Sequence, residues 1–447
     1  MTPAGSIGAG VLSRRTVLKG MAAGGALLAA GPAGRALAAS GRSIRTAGSR
    51  PYPHIPAGTD TLPAIEHIVV LMMENHTYDS YFGMLPQGDG FAVVKGRPVN
   101  ANRDASGQVV RVTHASTTCQ NGNHVSQSWD ASHRCWDGGR MDGFARTNRG
   151  SMTYWTGDDI PFLWSLASNF TVCDRYFSSV MAQTYPNRRF LMAGSAFGQV
   201  GDPFPSPGDK PPRPAGTPST IFDLFNRYDI SWKDYFADLP TVGLFPYVLE
   251  QNPGNVVPVA SFFADCAAGT LPQFSLVDPE SFEGSEENPQ DITVGQSYVA
   301  RVVNAVMSGP KWGSTLLVFT YDEGGGYYDH VAPPVAVRPD GIRPEASITY
   351  GDLYSRYGFR VPTVVVSPWS RPGAVSSTVY DHTSILKTVE TKWNLPALSA
   401  RDANANDLLG CLDLVSKPLA IAPALAPAPA PTGVVSCLAA NPTGPLP

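Results

Sequence analysis

Five short apolar runs, set apart by long loop-rich intervals that include amphipathic helical stretches, predict an α/β protein with a mostly parallel central sheet flanked by helices. The runs are β-branched and lack clean alternation, as strands covered on both faces do. Four of them also lead into acidic residues. In an open parallel sheet the carboxyl ends share one edge, and ligands bind in the crevice there beneath long loops.

The elements follow in chain order. Residues 1–38 read as a signal rather than fold: SRRTVLKG (13–20) sets Arg14 and Arg15 before a weakly apolar run, and Ala36-Leu37-Ala38 is a cleavage pattern. The paired arginines predict export through the twin-arginine machinery, with a secreted or cell-envelope location. Residues 39–63 are polar and proline-rich, an expected extended leader. HIVVLMM (67–73) reads as the first strand and runs into Glu74-Asn75; NFTVC (169–173) runs into Asp174 and QFSLV (273–277) into Asp278. SYVARVVNAVMSG (297–309) has a helical period, STLLVFT (314–320) leads to Asp322-Glu323, VPTVVVS (361–367) is a further strand, and TSILKTVETKW (383–393) a further helix. Residues 64–415 form one even block taken as the catalytic domain. Residues 416–447 form a tail whose IAPALAPAPAPTG segment (421–433) is expected to be extended and poorly packed.

The 447 residues suffice for one large domain or two ordinary ones, and 43% hydrophobic content supports a sizeable core. A formal charge of −4, falling to −8 if residues 1–38 are removed, argues against nucleic acid as a partner. No run beyond the signal is long and apolar enough to span a bilayer. Six cysteines fit an oxidising compartment and allow 15 full pairings, of which the pairs near in sequence, Cys119 with Cys135 and Cys411 with Cys437, are the first to test. No C-x-x-C occurs, so a zinc knuckle is not expected. Oligomeric state is not legible in these features.

Glu74, Asn75, Asp322 and Glu323 supply the carboxylate and amide oxygens that hard divalent cations prefer. Asp174 reads more simply as a cap or surface carboxylate. QTYPNRRF (183–190) places Thr184, Pro186 and Arg188 in a T-x-P-x-R frame. A proline just inside a helix is ordinary, but beside a cation Thr184 gains a second meaning, since a nearby metal eases loss of a hydroxyl proton. Arg188, one turn on, could present its planar fork to phosphoryl oxygens. His124, His133, His330 and His382 lie in polar surroundings suited to proton transfer. EGGGYYDHVAPP (323–334) matches neither a Walker loop nor a dinucleotide fingerprint. No G-x-S-x-G occurs, which weighs against an α/β-hydrolase esterase.

IEHIVVLMMENHTYDSYFG, QTYPNRRF, FTYDEGGGYYDHVAPP and RVPTVVVSPWSRPG resemble, in order, the motifs of the bacterial phosphoesterase family, which contains phospholipases C and acid phosphatases. The resemblance spans about residues 65 to 395. It implies an alkaline-phosphatase-like fold and metal-assisted phosphoester hydrolysis, with Glu74, Asn75, Thr184, Asp322 and Glu323 at the metal-site positions. It further implies that Thr184 is the nucleophile of a phospho-enzyme intermediate and that His124, in the segment before GGRMDGF, is catalytic; His330 and His382 match motif histidines of less defined role. Asn288 stands where many relatives carry a histidine.

The leading expectation is a secreted phospholipase C acting on a glycerophospholipid such as phosphatidylcholine, with transient contact to a membrane surface and a divalent cation (calcium, magnesium, manganese or zinc). An acid phosphatase acting on small phosphate esters is the alternative. A sulfatase ranks below both because Thr184 does not readily become formylglycine. An exported metal- or anion-binding protein without turnover is the reading from another class. Trp129, Trp136, Tyr154 and Trp155 are candidates for a head-group or acyl site, though such residues are more often core.

Overall fold

A computed structural model describes residues 43–120, 126–214, 216–344, 349–351, 354–416, 418–431 and 437. The expected signal, residues 1–38, lies outside the described residues, as does His124.

Fourteen elements position the site: strand β1 (His67–Met73), helix α1 (Tyr78–Phe82), α2 (Trp129–Trp136), α3 (Pro161–Asn169), β2 (Thr171–Cys173), α4 (Thr184–Ala193), β3 (Trp232–Phe236), β4 (Val256–Pro258), β5 (Phe274–Val277), α5 (Ile292–Ser308), β6 (Thr315–Tyr321), β7 (Val364–Val366), β8 (Val375–Ser376) and α6 (His382–Trp393). Among the described residues the strands form one sheet of eight in the order β4-β3-β5-β1-β6-β7-β2-β8. β1 is central and parallel to both neighbours, with Val70 opposite Leu276 on one side and Val318 on the other. All seven residues of β1 and of β6 are buried, which suits their largely apolar composition, broken only by His67, Thr315 and Thr320. Only β7 runs antiparallel to its neighbours. The sheet is therefore mostly parallel, as the sequence predicts.

Helix α5 starts five residues earlier than its periodic stretch, because Asp291 caps it by accepting from the Thr293 amide at 3.0 Å. Both ends of the block are fastened down. Residues 43–63 run along the carboxyl end of α6: Gly58 N–H donates to Trp393 O, Thr61 N–H to Lys392 O, and Asn394 exchanges hydrogen bonds with Tyr52 in both directions. In the tail, Ala422, Leu425 and Ala428 pack on the core at a spacing of three, as an extended proline-rich chain allows. The expectation of poor packing there does not hold.

The cysteine pairing also differs from the near-neighbour expectation. Cys119 is bonded to Cys437 across 318 positions of sequence. Cys135 is free and buried, and Cys411 lies beside Cys173, with sulfurs 3.7 Å apart. Topology, not sequence proximity, decides which Cβ atoms come within bridging reach.

Candidate active site

Because β5, β1 and β6 are adjacent and parallel, their carboxyl ends bring Asp278, Glu74 and Asp322-Glu323 together at one edge. Arg188 reaches into this group from α4. Its Nε donates to Asp322 Oδ2 at 3.2 Å, Nη2 to Glu74 Oε1 at 3.3 Å and Nη1 to Thr241 Oγ1 at 2.9 Å, with Asp278 Oδ1 at 3.6 Å. Thr241 in turn donates its hydroxyl and amide to the two oxygens of Asp278. The guanidinium is buried and spent on carboxylates. A buried cation must satisfy its own donors, and three acids surround this one.

Asn75 follows β1 in a left-handed backbone conformation (φ 74°) and donates its N–H to Asp322 Oδ1 at 3.2 Å. Asparagine is among the few residues that adopt this conformation cheaply. Gly325 explains the glycine run after Glu323. A Cβ there would lie 1.9 Å from the Asn75 carbonyl oxygen, and its N–H donates to Glu323 Oε2 at 2.7 Å. Both side-chain amide atoms of Asn75 and the Oε1 atom of Glu323 are buried with no hydrogen-bond partner. Groups of this kind are rarely left unsatisfied unless something else binds them.

The electrostatics point the same way. Burial, opposed by Arg188 and reinforced by Glu287 and Asp322, holds the Glu74 carboxyl well above its usual range. Burial and the adjacent Asp322 do the same to Glu323. Asp202 is pushed to about 6 and Glu287 to about 7, each chiefly by burial and also by the charge of Asp322. One guanidinium cannot neutralise this group. The unpartnered oxygens and the acid excess therefore fit a hard divalent cation held by Glu74, Asn75, Asp322 and Glu323.

Thr184 is the first residue of α4, and Arg188 lies one turn further along it. Asn187 of the same motif stitches the approach: its Oδ1 accepts from Val180 N–H at 3.1 Å, and its Nδ2 donates to the Ala182 and Gln183 carbonyls at 2.9 and 3.0 Å. Asp202 accepts from the Tyr185 amide at 2.7 Å, closing the exposed end of the helix.

The candidate histidines part company. His382, fully buried at the start of α6, donates Nε2–H to the Asp322 main-chain carbonyl at 2.6 Å, while Nδ1 accepts from Tyr176 Oη at 3.3 Å. Burial pushes its pKa down to about 4, so it is neutral and braces Asp322 from behind. His330 faces a separate network. Its Nδ1 meets Asp79 Oδ2 at 2.7 Å, and Arg360 bonds both Asp79 and Asp329 at 2.9 and 3.0 Å. Burial disfavours the imidazolium, but the Asp79 hydrogen bond and the charges of Asp79 and Asp329 raise its pKa to about 9. Neither is placed as a proton donor at the acid cluster. Asp79, Asp329 and His330 together form a possible metal-binding group by proximity. There Arg360 and the imidazolium already supply the countercharge.

His133 stacks on Tyr350 and lines a cavity of about 600 Å³ with Trp136, apart from the acid cluster. Trp155 lines a second cavity, of about 250 Å³, with Gln120, Asn288 and Tyr327. Trp129 and Tyr154 are buried in the core. Asn288 donates to Tyr327 Oη at 3.1 Å. Asp202, Thr241 and Glu287 are the participants that sequence reasoning misses. Only Glu287 carried a signal, lying within the acidic EENPQ stretch.

The phosphoesterase family model matches residues 65–396. The chain is 31% identical over 378 residues to the non-hemolytic phospholipase C of Pseudomonas aeruginosa, covering 75% of this chain and 54% of that protein. It is 29% identical over 424 residues to phospholipase C A of Mycobacterium tuberculosis, covering 81% and 80%. Non-specific phospholipase C1 of Arabidopsis thaliana is 29% identical over 378 residues, covering 76% and 69%. The chain spans little more than half the length of the Pseudomonas relative. Among solved structures, a protein in the alkaline phosphatase superfamily from Vibrio parahaemolyticus aligns with 82% of this chain and 72% of its own, at 9% identity and a TM-score of 0.39. On the strength of the family model, which matches well over half of the sequence, the chain belongs to the phosphoesterase family.

Proposed function

We propose that the protein is an exported, metal-dependent phosphoesterase of phospholipase C type, cleaving a glycerophospholipid to diacylglycerol and a phosphorylated head group. The observation that carries this reading is the buried acid cluster, with its unpartnered Asn75 and Glu323 oxygens, beside the helix that begins at Thr184. The names of the relatives supply the substrate class.

In this reading Glu74, Asn75, Asp322 and Glu323 hold the cation, which supplies positive charge for the reacting phosphate oxygens. Thr184 Oγ attacks phosphorus from the amino end of α4, where the helix favours negative charge, as its hydroxyl proton passes to a carboxylate of the acid cluster. The bond to the diacylglycerol oxygen breaks, and that oxygen takes up a proton, the role expected of His124. Water then hydrolyses the phosphothreonine, returning the hydroxyl. Arg188 holds three carboxylates in register so that the cluster does not spring apart, and His382 braces Asp322 from behind.

The test is hydrolysis of phosphatidylcholine beside p-nitrophenyl phosphate and p-nitrophenyl phosphorylcholine, by wild type and Thr184→Ala, with and without chelator. Diacylglycerol release abolished both by Thr184→Ala and by chelation is the expected result. Turnover of the monoester alone would move the reading to acid phosphatase. No Thr184-dependent turnover with metals restored would remove the nucleophile assignment.

A further inference from the structure

Among the described residues, the phenylalanines that stand exposed are Phe204 and Phe282, at 77% and 64%. Phe282 lies on the loop that leaves the carboxyl end of β5, and Phe204 on the loop that meets the amino end of α4. Phe204 comes two residues after Asp202, which caps α4, and its ring packs edge-on against Tyr185 with centroids 5.8 Å apart. Phe282 follows β5 by five residues. Leu239, 44% exposed, follows β3 by three. These last two loops are tied to each other, since Ser281 donates its N–H to Asp238 Oδ2 at 2.9 Å and its hydroxyl to Oδ1 at 3.1 Å. Thr241, two residues past Leu239, holds Arg188. The three apolar side chains therefore stand on loops anchored directly to the candidate site.

Single exposed apolar side chains are ordinary, but these three share loops that meet one site, which makes them a group rather than scattered exposure. Phe204 is flanked by Pro203 and Pro205, whose fixed φ angles limit the ways the loop can fold back over it. The charge around the three is one-sided. Segments 202–210, 237–241 and 278–287 contain a single basic residue, Lys210, against acids that include Asp209, Asp238, Glu280 and Glu283. An anionic lipid surface would be repelled by this rim. A zwitterionic one presents its ammonium groups outermost and would be tolerated or attracted.

We infer that Phe204, Leu239 and Phe282 form a docking rim that inserts into a zwitterionic phospholipid surface and sets the candidate site over a lipid head group. This rests on the phospholipase reading for its purpose, but docking is a binding event that can be measured without turnover.

The experiment uses the full mature chain carrying Thr184→Ala, floated with vesicles of phosphatidylcholine alone or phosphatidylcholine mixed with phosphatidylserine. Phe204→Ser, the pair Leu239→Ser/Phe282→Ser, and all three together are added to that background. The triple variant should lose vesicle binding by about tenfold or more, with partial losses in the others. Phosphatidylserine should weaken wild-type binding at low salt. With Thr184 restored, the pair variant should turn over soluble p-nitrophenyl phosphorylcholine within about twofold of wild type while losing activity on vesicles. Unchanged flotation of the triple variant, absence of binding by the parent, or tighter binding to anionic vesicles would overturn the proposal. So would self-association of the parent by light scattering that the triple substitution abolishes, because the rim would then be an interface between copies. Rim-dependent binding without phosphatidylcholine hydrolysis would instead uphold docking and remove the phospholipase reading.

Discussion

Replacing His330 with glutamine should flatten the alkaline limb of the stability curve. In the folded chain the Asp79 hydrogen bond and the charges of Asp79 and Asp329 outweigh burial and hold His330 protonated up to about pH 9. An unfolded histidine titrates near 6.5. Below about 6.5 the imidazole is charged in both states and its stabilisation is fully present. Between about 6.5 and 9 the folded state alone binds the proton, so stability falls by about 1.4 kcal/mol per pH unit. The whole window is worth about 3 kcal/mol as a ceiling. The side chain is 23% exposed, and solvent screening should bring the measured loss nearer 2 kcal/mol. The assay is urea unfolding of both proteins at pH 6, 7.5 and 9.5. Wild type should lose about 2 kcal/mol more than His330→Gln between the ends of that series. Parallel curves would refute the ion-pair geometry and return His330 to the pool of candidate catalytic groups.

Three further outcomes follow from the same structure. Gly325→Ala forces a Cβ against the Asn75 carbonyl in a left-handed backbone (φ 61°), and should cost about 2–3 kcal/mol in chemical denaturation while lowering turnover. Asn75→Asp should keep the fold, because the amide side chain has no partner to lose, yet alter metal retention by at least about tenfold, measured by metal analysis after dialysis against graded chelator. Peptide mapping without reductant should recover Cys119 joined to Cys437, and Cys437→Ser should lower stability by about 2–4 kcal/mol. Recovery of Cys119 joined to Cys135 would contradict the fold around that loop.

What the sequence made legible was whatever depends on local pattern. The first strand reads true at both ends because six apolar residues run without a break after His67 and stop at the polar pair Glu74-Asn75. The direction of Val364–Val366 was not legible, since an apolar run carries no sign of which way it lies. WKDYF carries no legible strand signal, since Lys233 and Asp234 interrupt its apolar residues; in the fold Asp234 is buried and accepts from the Val242 amide at 3.0 Å. The acidic strand ends announced the cluster, but Asp202 and Thr241 join it through loops with no local mark. The partners of Arg188 were not legible for a related reason. A sequence shows a cation near a nucleophile but not the three acids competing for it. The bond from Cys119 to Cys437 depends on where two distant segments finish, which spacing alone does not encode.

The strap formed by residues 43–63 bears on the order in which the chain can fold. Its hydrogen bonds to the rest of the chain go to residues 391–404, and β1, the sheet's central strand, waits for residues 274–277 and 315–321 before either of its edges is paired. During synthesis the first segments of the domain to emerge are thus among the last to find their partners. Such a chain cannot complete its amino-terminal half on the ribosome and add the rest later; it closes as a whole, and slowly, because the defining contacts are distant. A twin-arginine signal, which carries folded cargo, would suit a protein that must be finished before it travels.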